Sequence, residues 1–301
     1  MRGGILVIGS MNMDLVVQTS DLPQKGETVV GDNFAQAPGG KGANQALAAA
    51  KLGAEVEFIG ACGNDDFGDQ LISSLNKGGV ETENIYRLET NTGIANITVE
   101  SDGDNRIIII PGANNKLSPE LISVHEKKIE EAELILLQLE IPLQTITEII
   151  NLAAKYETRV LLDPAPVKEI PDDIYQKVDY LLPNEGELDS LVPKLDDSKA
   201  KMERLLKLGV EKILLTKGPA GVNYYSREEV KDYKAPEVEA VDTTAAGDAF
   251  AGGFAYGLYQ GWSEERAIKF ASQVAALSVT VKGAQPSLPT AQEVNRFKGG
   301  V

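Results

Sequence analysis

A chain of 301 residues with 43% hydrophobic and 25% charged residues has the make-up of a globular protein with one large core, or a large domain with a small satellite. Its formal charge of −16 argues against general attraction to nucleic acid or an anionic membrane, but not against an anionic nucleotide held by local donors and Mg²⁺. One cysteine, Cys62, leaves no internal disulfide and points to a reducing cytoplasm, and no apolar run approaches the roughly 20 residues that cross a bilayer.

The first apolar run, residues 5–9, reads as a strand and not a leader peptide, because it is short and soon meets Asn12 and Asp14. Asn12 and Asp14 flank Met13 just past that strand; two apart, they point the same way and can hold vicinal hydroxyls, with a plain turn as the alternative. Two segments, 15–34 and 92–111, break the pattern that follows. Both read as antiparallel strands inserted as a lid over the carboxyl ends of a larger sheet.

The run Pro38-Gly39-Gly40-Lys41-Gly42-Ala43-Asn44-Gln45 opens a helix over 43–51 without P-loop spacing. Its glycines allow close backbone approach, and Lys41 and Asn44 offer donors to polyol oxygens; a tight loop with a solvated lysine is the plainer alternative. Further strands are expected at 56–61, 134–139, 160–163, 180–183, 212–216 and 221–225. Several are continuously apolar, as in parallel strands buried on both faces. Helices are expected after Ser118-Pro119 and over 143–156, 199–208, 248–260 and 264–279. This alternation predicts an open, mostly parallel α/β sheet with helices on both faces, residues 1–301 forming one domain and the lid an excursion from it.

Motifs sit at the carboxyl ends of these strands. Glu140 follows the 134–139 strand, placed for a ligand hydroxyl. Asn184 and Glu187, three apart, share a helix face and can hold Mg²⁺ through its waters; they also fit a capping box, and the two roles are compatible. The turn Thr216-Lys217-Gly218-Pro219-Ala220-Gly221 suits passing nucleotide phosphates. Carbonyls of the loop 281–287, with Asp242, offer a monovalent-cation site.

The densest run is Asp242-Thr243-Thr244-Ala245-Ala246-Gly247-Asp248. Ala245, Ala246 and Gly247 would present backbone N–H groups at a helix start, where small side chains and the helix dipole favour an anion. Asp248 reads either as an N-cap or as a catalytic base. A sugar hydroxyl is about as weak an acid as water, with a pKa of about 15.7. Full deprotonation by an ordinary carboxylate would cost about 16 kcal/mol. A carboxylate here therefore orients the hydroxyl and accepts its proton late. His125 lies in a charged helix, Cys62 reads as a small buried strand residue and Trp262 as packing; a single His and a single Cys give little support to a His/Cys metal site or a Ser-His-Asp triad.

The motifs GSMNMD, GGKGANQA, QLE, PNEGE, TKGPAG, DTTAAGDAF and KGAQPS together resemble the PfkB-type sugar kinases, and within that family its ribokinase branch, over essentially the whole chain. The resemblance implies phosphorylation of the O5 hydroxyl of D-ribose by MgATP with K⁺ as activator, and a homodimer formed through the lid. Carried over by motif, Asp248 matches the base, and Asn12, Asp14, Gly40, Lys41, Asn44 and Glu140 match sugar contacts; Met13, Gly42 and Ala43 stand within those motifs. Asn184, Thr216 to Gly221 and Gly247 match the nucleotide site, with Glu187 in the Mg²⁺-linked NxxE. Asp242, Thr244, Ser278, Val281, Gly283 and Ser287 match the cation site. Ser272 stands where relatives often carry Asn or His near the adenine, which leaves base recognition open. A kinase for deoxyribose, fructose or adenosine, and a non-catalytic sugar-binding protein, are the competing readings.

Overall fold

The computed structural model describes residues 3–100 and 105–297. In chain order the strands are β1 (Ile5–Ile8), β2 (Asn12–Thr19), β3 (Asn33–Gly39), β4 (Val56–Gly63), β5 (Val80–Glu81), β6 (Ile85–Leu88) and β7 (Gly93–Glu100). There follow β8 (Asn105–Ile110), β9 (Leu134–Gln138), β10 (Arg159–Asp163), β11 (Tyr180–Leu181), β12 (Lys212–Thr216), β13 (Val222–Ser226) and β14 (Val230–Tyr233). The main sheet has the order β14-β13-β12-β11-β10-β9-β1-β4-β5, with β6 also on β4. It is parallel except for the antiparallel edge made by β13 and β14. A second sheet of four strands has the order β3-β2-β7-β8.

The helices are α1 (Lys41–Lys51), α2 (Asp66–Lys77), α3 (Pro119–Ser123), α4 (Glu126–Glu131), α5 (Leu143–Lys155) and α6 (Asp172–Tyr175), then α7 (Glu185–Leu191), α8 (Ser198–Leu208), α9 (Ala246–Tyr259), α10 (Glu264–Ser278) and α11 (Ala291–Arg296). They cover both faces of the main sheet, which explains the unbroken apolar strands. All four residues of β1 are buried. Ile5 and Val7 join the core under α1, α2, α9 and α10, while Leu6 and Ile8 join the core under α3 to α8. Side chains that alternate across a strand serve two cores only when both faces are covered.

Two expectations need correction. The inserted strands are not all antiparallel: β2 and β7 pair parallel, from Asn12 opposite Gly93 to Thr19 opposite Glu100. The reason is topological. Strand β2 follows β1 and β7 follows β6, and β1 and β6 both run parallel to β4. Two strands leaving the same end of one sheet run the same way, whereas β3 and β8 return antiparallel to them. The first segment is also too short, because β2 begins at Asn12 and β3 ends at Gly39, outside 15–34, whereas β7 and β8 fall within 92–111. Asn12 and Asp14 therefore sit inside the second sheet's own strand and not in a turn after β1.

Helix α9 is built from small residues so that it can lie against α1. A Cβ at Gly252 would stand 2.5 Å from Ala48 Cβ and 2.8 Å from the Gln45 carbonyl oxygen. At such separations a side chain has no room, and the two helix backbones touch directly. Among the described residues no helix is long and apolar enough to cross a membrane.

Candidate active site

The direct contact between α1 and α9 brings the GGKGANQ and DTTAAGD motifs to one point. Asp248 is not a cap. The residue capping α9 is Ala245, in the left-handed region at φ 60°, and it makes no side-chain capping bond. Asp248 stands third in the helix, 4% exposed, with its carboxylate turned toward α1. There Oδ2 accepts from Asn44 Nδ2 at 2.9 Å and Oδ1 accepts from Gln45 Nε2 at 3.0 Å. The Ala246 N–H closes a turn on the Thr243 carbonyl at 3.2 Å, which leaves those of Ala245 and Gly247 without a protein acceptor among the described residues. A Cβ at Gly247 would meet nothing within 4 Å, so the helix start faces open space.

The sugar-type residues converge from three elements. Gly40, at φ 89°, lets the loop cross the root of the second sheet: a Cβ there would lie 2.7 Å from both Asn12 N and Met11 Cα. Gly42 and Ala43 are buried in the first turn of α1. Asn114, which sequence reasoning missed, accepts from Met11 N at 3.0 Å and donates to the Met11 carbonyl at 3.1 Å and to Asn12 Oδ1 at 2.8 Å. Fixing Oδ1 in this way leaves the Asn12 NH₂ as the free end of the amide. Glu140 accepts from Ser10 Oγ and from the Lys41 N–H, the latter at 3.1 Å. Met13 does not line the site with its side chain, which lies in the core at 0% exposure. Asn44 Oδ1 is buried without a hydrogen-bond partner.

A second acid missing from the sequence reading stands beside Asp248. Asp163, the last residue of β10, pairs with Lys41 Nζ at 3.8 Å and accepts from Gln45 Nε2 at 2.7 Å. Its place at the carboxyl end of a recognised strand was the available signal. Burial pushes its carboxyl up to about 7, against the pull of Lys41. Asp163, outweighing burial, holds the Lys41 ammonium well above the ordinary lysine range, helped by Asp248, Glu140 and Glu187.

Of the nucleotide-type residues, Asn184, Thr216, Gly247 and Asp248 line a cleft of about 230 Å³ with Lys41, Asp163 and Glu187, while Lys217 to Gly221 lie outside its lining. Asn184 and Glu187 form a capping box at 2.8 Å in each direction. Asn184 bridges to Thr216, which starts the exposed Gly218-Pro219-Ala220 turn; that turn closes by Lys217 N–H on the Gly221 carbonyl at 2.9 Å. Ser272 is not in this cleft: it is buried in α10, its hydroxyl donating to the Ile268 carbonyl at 2.9 Å.

Asp242 ties two loops together, Oδ1 accepting from Thr244 N at 2.9 Å and Oγ1 at 2.6 Å, Oδ2 from Gly283 N at 2.8 Å. Burial opposes the charge, but these bonds hold the Asp242 carboxyl below its usual range. Ser278 and Ser287 are buried and bond their own turns through Ala275 and Ala284, and Val281 is exposed. His125 pairs with the Tyr86 hydroxyl and Trp262 packs with Tyr256, Phe270 and Arg266, both outside the cleft.

Burial, then the Glu140 and Asp248 charges, raise Asp14 to about 7 from 3.8. A raised carboxyl binds its proton more tightly in the folded state, so its burden on stability is absent below about pH 4 and grows as pH rises through 7. Asp14→Asn should therefore unfold at higher urea than the parent at pH 8, by about 1 kcal/mol or more. The gain should vanish toward pH 4. An equal gain at both pH values, read from parallel urea titrations, would show the carboxyl is not strained by burial.

Residues 3–291 match the model of the pfkB family carbohydrate kinases. The chain is 41% identical to the ribokinase of Lactococcus lactis over 291 residues, 96% of this chain and 95% of that one. It is 39% identical to the deoxyribokinase of Salmonella typhimurium over 299 residues, 97% of this chain and 98% of that one. The structure of Arabidopsis thaliana ribokinase complexed with ribose and ATP superposes with a TM-score of 0.92 at 33% identity, covering 99% of this chain and all of that one (100%). Matched by the family model over residues 3–291 and similar to these relatives over nearly its whole length, this chain belongs to the pfkB family of carbohydrate kinases.

Proposed function

We propose that this chain phosphorylates D-ribose at its O5 hydroxyl with MgATP, giving D-ribose 5-phosphate and ADP. The observation that carries the reading is Asp248, a buried carboxylate pinned by two amide donors at a helix start that faces open space. The similarity to ribokinases, one of them solved with ribose and ATP, supports ribose as the sugar.

In this reading Asn12, Asp14, Lys41, Asn44 and Glu140 bind the sugar. Asn44 Oδ1, buried and unpartnered, meets a hydroxyl donor, as buried polar atoms require. Asp248 orients the O5 hydroxyl and takes its proton as the O5–phosphorus bond forms and the bond to the ADP oxygen breaks. The N–H groups of Ala245 and Gly247 donate to the transferring phosphoryl oxygens. The turn Thr216–Gly221 and Asn184 hold the nucleotide.

The cleft suits Mg²⁺ because Asp163, Glu187 and Asp248 face it against the single ammonium of Lys41. Asn184 and Glu187 would hold the ion through its waters; when bound, it neutralises phosphate charge. The Asp242–Gly283 tie supports a K⁺ site made by Asp242, Thr244, Ser278, Val281, Gly283 and Ser287, largely through carbonyls. The second sheet serves as the lid, and its apolar edge supports a homodimer formed through it: Ile107, Ile108, Ile109 and Ile110 are 53%, 67%, 45% and 51% exposed. The one free cysteine, Cys62, is buried, in keeping with a reducing cytoplasm.

A deoxyribokinase at 39% identity makes deoxyribose the second candidate. A panel of ribose, deoxyribose, fructose and adenosine, followed by ADP release, should favour ribose by kcat/KM; preference for another member overturns the sugar assignment. Asp248→Asn should lower kcat by about 10² or more with ribose affinity nearly unchanged, and unaltered turnover would remove its role as base. Turnover should be higher in K⁺ than in Na⁺, and equal rates at matched ionic strength would count against the cation site. Sedimentation should give a dimer that Ile108→Glu converts to a monomer; a parent that sediments as a monomer at micromolar concentration ends the dimer proposal.

A further inference from the structure

Gln45 is 0% exposed, and its side chain touches both acids of the candidate site. One nitrogen, Nε2, donates to Asp163 Oδ2 at 2.7 Å and to Asp248 Oδ1 at 3.0 Å. An amide nitrogen carries two hydrogens, so one goes to each carboxylate. The amide cannot turn over, because Gln45 Oε1 accepts from Gln138 Nε2 at 2.6 Å. Gln138 is itself 0% exposed and fits only because residue 9 is glycine: a Cβ at Gly9 would lie 2.1 Å from Gln138 Oε1. Two oxygens accepting from one nitrogen lie within two hydrogen-bond lengths of each other. In a buried site two carboxylates so placed disfavour each other's charge, and the amide hydrogens between them offset that repulsion.

We propose that Gln45 is a positioning residue of the transfer site: it fixes the Asp248 carboxylate in one orientation and insulates it from Asp163, so that Asp248 faces the sugar hydroxyl and not a proton held by the neighbouring acid. The inference rests on the kinase reading above. Lys41 from α1, Asp14 from β2 and Asp163 from β10 are the charged groups facing Asp248, while Glu140 after β9 and Glu187 of α7 face Lys41. Asp163, raised to about 7, is the group that holds a proton near neutrality. Asn44 supplies the second, independent donor to Asp248, so loss of Gln45 frees one carboxylate oxygen and leaves the other held.

The test is the pH dependence of kcat for ribose and MgATP in the parent, Gln45→Leu, and Gln45→Leu combined with Asp163→Asn. Gln45→Leu should lose about tenfold or more of kcat near pH 6 and recover much of it near pH 9, where Asp163 keeps no proton. Its KM for ribose should stay within about threefold of the parent, since no sugar contact is touched. Adding Asp163→Asn, which removes the competing carboxyl, should flatten that pH-dependent loss. A loss equal at every pH, or one that persists unchanged in the double variant, overturns the proposal and makes Gln45 a packing residue. If Gln45→Leu does not fold, Gln138→Leu frees the same amide to rotate; it should show the acid-side loss in smaller measure, and a parental profile there overturns the proposal too. A parent that binds ribose but releases no ADP from it at any pH removes the kinase reading itself. An active parent with a pH-flat Gln45→Leu removes only the insulation by Gln45.

Discussion

The candidate site depends on two helices meeting with nothing larger than an alanine methyl between them. Gly252 and Ala48 set that distance, and the polar residues one turn away inherit it. Asn44 and Gln45 are consecutive in α1, yet both reach the one carboxylate of Asp248 more than 200 residues away, one on each oxygen. A carboxylate bonded at both oxygens has lost its rotational freedom before any ligand arrives, so orientation entropy is spent during folding and not during catalysis. The sheet beneath supplies the rigidity: β1 is buried on both faces, and a strand locked into two cores cannot shift to relieve strain at its end.

The electrostatics of the cleft run against the charge of its expected occupant. Asp163, Glu187 and Asp248 face it with only Lys41 to offset them. Lys41 in turn is held by Asp163, so its ammonium is an internal counter-ion as much as a phosphate binder. What attracts anionic groups is therefore left to the uncommitted N–H groups of Ala245 and Gly247 and to an added cation. The Asp242 clamp joins the loop before α9 to the loop after α10, which fixes the direction in which that helix start points.

Much of this was legible in the order of residues. Unbroken apolar strands announced a sheet buried on both faces, and the Asn184–Glu187 spacing announced a capping box that is present. The limits were set by distance along the chain. Asp163 and Asp248 meet Gln45 across 118 and 203 residues, so no local spacing could pair them. Lys41 looked like a free donor because its partner stands at the end of β10. The parallel pairing of β2 with β7 depends on which end of the main sheet each strand leaves, a property of topology and not of either segment. Ala245 in the left-handed region carries no sequence mark at all, since glycine or asparagine is the residue expected there.

The placement of Asn12 and Asp14 on β2, in a sheet separate from the one that carries Asp163 beneath α9, divides labour between two parts of the molecule. In the proposed reading two sugar-facing residues hang from the second sheet, whereas Lys41, Asn44 and Asp248 belong to helices packed on the first. Met13, between Asn12 and Asp14, is buried in the main core, so β2 is anchored at its root, while the outer strands β3 and β8 expose most of their residues. A sheet anchored at one end and open along its outer strands tolerates change in its exposed residues more readily than the helix contact that holds Asp248.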